Sequence, residues 1–140
     1  MQATRRARLQ AVIQEELSVV VPREVKDPRV PPLTITQVEV TSDGSQATVF
    51  VSVLGSLNPP ADEAEEQSRR EEMRGAIAGL TSASGYLRRH LARVLTVRHI
   101  PNLIFKEDKG LANATRVYEL LRQVEATPTE DKKSDEGSSQ

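Results

Sequence analysis

Thr81-Ser82-Ala83-Ser84-Gly85-Tyr86-Leu87-Arg88-Arg89-His90 is a run of small and hydroxyl residues that passes into a basic one, between two stretches of helical periodicity. Before it, Met73, Ala76, Ile77 and Leu80 recur at spacings of one helical face. After it, Leu87, Leu91 and Val94 do the same. This predicts a helix from about Ser84 to Leu95 with Arg88, Arg89 and Arg93 turned away from the core. The charge pattern changes at the same place. From Gly75 to Lys106 there is no Asp or Glu, while Arg88, Arg89, Arg93, Arg98 and Lys106 all fall in that window. In a chain of 20 acids and 19 bases, with a net charge of −1, this is segregation of charge.

Upstream, Leu9, Val12, Ile13 and Leu17 define a helix of about Thr4 to Val20, ended by Pro22, with Arg5, Arg6 and Arg8 in its first turns. A helix N-terminus prefers acids, so these arginines point to something outside the helix or to plain solubility. Pro28, Pro31 and Pro32 forbid regular structure from Glu24 to Pro32, where Asp27 and Arg29 are expected to fix a loop. Leu33 to Thr41 reads as a strand whose alternation changes phase between Ile35 and Val38, which predicts a bulge near Thr36 or Gln37. Ser42-Asp43-Gly44-Ser45 is a tight turn, and Ala47, Val49, Val51 and Val53 alternate in a second strand, so the two form an antiparallel hairpin. Asn58-Pro59-Pro60 breaks the chain. Asp62 then caps a helix with acids in its first turns.

Downstream, Val97 to Lys106 reads as a third strand, with Pro101 at its edge, its start or a bulge. Ala112 to Val124 has the spacing of a short closing helix. The polar remainder, 125–140, reads as a disordered acidic tail after a single domain over 1–124. The order helix, strand, strand, helix, helix, strand, then a closing helix, is an α+β layer with three strands and helices on one face. It is the order of the type II KH fold, in which a Gly-containing link between two helices clamps a nucleic-acid backbone. The usual link is GxxG, whereas this chain has Ala83-Ser84-Gly85.

Cysteine is absent, which excludes disulfides, a thiol nucleophile and cysteine-ligated zinc, and fits a cytoplasmic protein. No apolar run reaches the roughly 18 residues of a membrane span. No phosphate loop, dinucleotide fingerprint or metal-ligand spacing occurs, and His90 and His99 have no orienting carboxylate nearby in sequence, so no enzyme, metal or cofactor is expected.

Several stretches together resemble the ribosome-binding factor A family over roughly Arg5 to Leu121. These are the basic opening helix, Lys26-Asp27-Pro28-Arg29-Val30, Val38 to Asp43, Ala47 to Gly55, Ala83-Ser84-Gly85-Tyr86-Leu87-Arg88, and Leu95 to Phe105. The resemblance implies a KH-like, non-catalytic assembly factor. Such a factor binds small-subunit ribosomal RNA in a late precursor particle, helps its maturation and leaves before translation. The family's pattern after the third strand differs from Glu107-Asp108-Lys109-Gly110-Leu111-Ala112-Asn113 here, which leaves the last helix open.

The expected RNA-binding residues are Ser82, Ala83, Ser84, Gly85, Arg88, Arg89, Arg93, Arg98 and Lys106, with Arg5, Arg6 and Arg8 of the first helix. Gly85 would let the chain bend and a phosphate come close, Ser82 or Ser84 would cap the second helix, and the arginines would follow the backbone. Aromatic content is 3%, so phosphate and shape should outweigh base reading, with Tyr86 the one stacking candidate. The expected partner is the precursor small subunit, met by a monomer. The alternative is a protein-interaction module working through the acidic helix and tail.

Overall fold

A computed structural model describes residues 2–53, 58–110 and 121. Its elements are α1 (Ala3–Glu24), β1 (Leu33–Val40), β2 (Gln46–Val53), α2 (Glu63–Ser82), α3 (Ser84–Val94) and β3 (Asn102–Glu107). The closing helix and the tail expected after Gly110 lie outside the described residues, apart from Leu121.

The sheet has the order β1-β2-β3. β1 and β2 pair antiparallel, and β2 and β3 pair parallel. Parallel strands cannot be joined by a tight turn, so the chain must cross over, and α2 and α3 make the crossing. The hairpin turns at Gly44, whose φ of 74° is the left-handed conformation that glycine adopts without strain. Asp43 holds that turn by accepting from Thr41 Oγ1 and from the Ser45 amide and hydroxyl. These bonds lower its carboxyl from an ordinary 3.8 to about 2.

The predicted bulge is real. The β1–β2 register shifts between Ile35 and Gln37, leaving Thr36 as the extra residue. Because of it Leu33, Ile35, Val38 and Val40 all share one face with Ala47, Val49, Val51 and Val53 of β2. Thr36 donates its hydroxyl to the Asp108 carboxylate, beyond the end of β3, so the bulge is tied across the sheet.

The core lies between this face and the helices. Leu9, Ile13, Leu17, Val20 and Val21 of α1, Met73, Ala76 and Leu80 of α2, Leu87 and Leu91 of α3, and Leu103 and Phe105 of β3 are all buried. Each fully buried leucine, isoleucine or valine contributes roughly 1.5–3 kcal/mol. On the other face Glu39, Ile104 and Lys106 are exposed.

Four expectations need correction. Pro22 does not end α1 after Val20 but lies inside its last turn. A proline there forfeits only its own bond to the Ser18 carbonyl, and the Val25 amide still closes the turn on the Val21 carbonyl at 3.1 Å. β3 starts at Asn102, not Val97. Buried Pro101 has no amide for the ladder, and the carbonyls of Ile100 and Pro101 are taken by a side chain of α3. Val94, expected in the core, is the last residue of α3 and 43% exposed. α3 therefore ends at Val94 instead of Leu95, which caps it through its amide on Leu91.

Candidate nucleic-acid interface

α2 and α3 are separated by one residue, Ala83, whose amide bonds to the carbonyls of Gly79 and Leu80. The bend needs no glycine. Gly85 sits inside the first turn of α3, and a Cβ added there would meet only Arg89 Nη1 at 3.7 Å, an ordinary contact. The expectation that Gly85 forms the bend is thus corrected, since α2 closes on itself before α3 begins. The serine caps are corrected as well. Ser84 donates its hydroxyl to the Thr81 carbonyl at 2.7 Å, serving the end of α2. Ser82 Oγ accepts from Arg29 Nη2 at 3.4 Å. α3 has no side-chain cap and no acid in its first turn.

Gly85, Arg89 and Arg93 lie four residues apart on one exposed stripe of α3. Long helical side chains lean toward the N-terminus, and the Arg89 guanidinium accordingly lies beside Gly85. A cation thus lies at the positive end of a helix whose own first turn carries no acid.

Arg88 departs from the expected outward row. It is half-buried, donating from Nη2 to the Ile100 carbonyl at 2.9 Å and from Nε to the Pro101 carbonyl at 3.2 Å. Its spacing from Leu87 and Leu91 puts it on the flank of the buried stripe, where a long side chain reaches the neighbouring loop. Lys106 is also set apart, pointing from the sheet face opposite the helices. Arg5, Arg8 and Arg98 meet in one groove at the other end of α3. Arg6 is half-buried and does not line it.

The proline-rich loop supports the junction. Arg29 grips the Asp27 carboxylate with two bonds, Nε to Oδ1 at 3.0 Å and Nη2 to Oδ2 at 2.6 Å, while its amide donates to Oδ1. Arg29 holds the Asp27 carboxyl at about 2. The loop rests on buried Gly79, where an added Cβ would come within 2.5 Å of Val30 Cγ2. Sequence reading passed over Gly79. The one signal was a glycine beside Leu80 on an otherwise apolar face.

Tyr86 is 38% exposed, and its hydroxyl donates to Glu24 Oε1 at 3.2 Å, linking α3 to the end of α1. His90 Nε2 lies 3.0 Å from Glu16 Oε1, a second α1–α3 tie. Among the described residues no group of acids and histidines is placed to hold a metal, and no helix is long and apolar enough to cross a membrane.

These features define a class: a small α+β domain with a three-stranded mixed sheet, carrying an acid-free, arginine-bearing helix beside a helix junction. The chain belongs to the ribosome-binding factor A family, whose profile matches residues 5–121. Ribosome-binding factor A of Brevibacillus brevis is 40% identical over 136 residues, covering 97% of this chain and 99% of that one. A crystal structure of ribosome-binding factor A from Thermus thermophilus superposes with a TM-score of 0.55 at 27% identity, over 73% of this chain and 94% of that one. A homology model of the Thermus thermophilus protein, fitted into a cryo-EM map of its complex with the 30S subunit, gives a TM-score of 0.50 at 27% identity. It covers 78% of this chain and 97% of its own.

Proposed function

We propose that this chain is a KH-like, non-catalytic assembly factor of the small ribosomal subunit. It binds ribosomal RNA of a late precursor particle with the α3 face and assists maturation, acting as a cytoplasmic monomer. The observation that carries this is α3 itself: its start is uncapped and free of acids, and Gly85, Arg89 and Arg93 form one exposed stripe along its length. Such an end favours an anion, and two exposed guanidinium groups on the same stripe suit consecutive phosphates. The 30S complex of the Thermus thermophilus relative supports the choice of partner.

The protein-interaction alternative has less behind it. Glu65 and Glu66 of the acidic helix are occupied by Arg69 and Arg70, and Glu65 also accepts from the Ala61 amide. The test is the double variant Arg89→Glu with Arg93→Glu, both exposed and outside the core. It should lose cosedimentation with precursor small subunits while melting like the parent. Wild-type binding should weaken log-linearly with salt, as phosphate contacts require. Undiminished binding by the double variant would sink the assignment of this face.

A further inference from the structure

The groove at the far end of α3 has a composition that phosphate binding alone does not explain. It encloses about 650 Å³ between the first turns of α1, the β1–β2 turn and the loop after α3. Arg5 and Arg8 enter it from α1 and Arg98 from the loop, and all three are exposed. Among the described residues none of the three has an ion-pair partner. The single acid in the lining, Asp43, is committed to Thr41 and Ser45 of its own turn.

Between the cations the walls are apolar. Val12, Val94 and Val97 line the groove, and Val94 is left 43% uncovered at the end of its helix. The size is that of a site for a small organic group, for which pockets run from about 300 to 1,000 Å³. Three cations around an apolar wall select a ligand that is anionic on one side and flat and apolar on the other. A nucleotide has that character. Guanidinium planes also stack on bases.

We propose that this groove takes one unpaired nucleotide of single-stranded RNA, with the base against Val12, Val94 and Val97 and the phosphates held by Arg5, Arg8 and Arg98. The proposal rests on the RNA-binding reading above and adds a requirement to it. The RNA must offer an unstacked base roughly 16 Å from the start of α3, the length of an 11-residue helix. A continuous duplex keeps its bases stacked and cannot supply one. The groove also accounts for arginines at the start of α1, where the helix dipole disfavours them.

The test uses the full chain with two probes of equal charge: an unstructured eight-nucleotide RNA and the same oligomer made wholly abasic. The intact RNA should bind at least about fivefold tighter, the lower bound for one stacked base. Val94→Gln should remove most of that difference, and Arg5→Gln with Arg98→Gln should weaken both probes and flatten the salt slope. Equal affinity for the two probes, or a difference that survives in Val94→Gln, overturns the nucleotide assignment. If the groove variants bind RNA like the parent while Arg89→Glu with Arg93→Glu does not, the groove fails and the α3 face stands. If the parent binds neither probe and no precursor subunit, both fall. Displacement of the RNA by an octaglutamate peptide at equal concentration would reassign the groove to an acidic protein segment.

Discussion

α2 and α3 follow one another with a single residue between them, yet they begin in opposite ways. α2 starts with Asp62, whose carboxylate accepts from the Glu65 amide, while Glu65 accepts in return from the Ala61 amide at 2.6 Å. Three acids occupy its first turn, and Arg69 and Arg70 pair back onto two of them one turn later. α3 starts with Ala83, which has no side-chain oxygen to offer, and it carries arginine and no acid. The chain itself completes the first end and leaves the second incomplete. Local stabilising contacts are therefore concentrated at one helix start, while the proposed binding surface begins at the other.

The largest test of that division concerns Arg88, a residue of α3 that belongs to the stability side. Arg88→Ala leaves the Ile100 and Pro101 carbonyls without their charged donor and should cost about 1.5–3 kcal/mol in urea unfolding. Arg89→Ala, one residue on, should stay within about 0.5 kcal/mol. Equal losses would mean that the two arginines are not divided as described.

Gly79→Ala comes next. Its Cβ would press on Val30 Cγ2 and Asp27, so a destabilisation of about 1–3 kcal/mol is expected, read as a lowered denaturation midpoint. Asp62→Ala should cost about 1 kcal/mol by removing the cap of α2, with RNA affinity unchanged. A loss of affinity in that variant would blur the contrast between the two helix starts.

The smallest effect has the opposite sign. Gly85→Ala should raise stability by roughly 0.5 kcal/mol, because its backbone is helical and the new methyl group meets open space or Arg89. If a phosphate approaches Gly85 closely, the same variant should bind RNA more weakly while melting higher. A split of that kind separates a binding glycine from a packing glycine, which thermal scans and filter binding can resolve together.

The sequence showed the element order, the bulge at Thr36, the Asp62 cap and the Gly44 turn because each has a local cause: periodicity, a phase change, a capping oxygen, a glycine. It did not show that Arg88 turns inward or that Gly79 carries the Asp27–Val30 loop, since both depend on a segment distant in the chain. Parallel pairing of β2 and β3 was missed for the same reason. At the candidate site, the sequence pointed to the basic residues but not to their grouping. Arg89 and Arg93 form a stripe, Arg5, Arg8 and Arg98 gather in a groove, and Lys106 stands on another surface.

One contact of α1 bears on how the protein survives alongside its own copies. β1 is an edge strand, and Gln14 Nε2 donates to its Ile35 and Thr36 carbonyls at 3.3 Å, while Gln10 Oε1 accepts from the Val40 amide at 2.9 Å. An edge whose outward amides and carbonyls are free is a template on which a second chain can add a strand and begin aggregation. Two glutamines one helical turn apart thus let α1 occupy part of that edge. Replacing them with alanines would reopen the edge without disturbing the core.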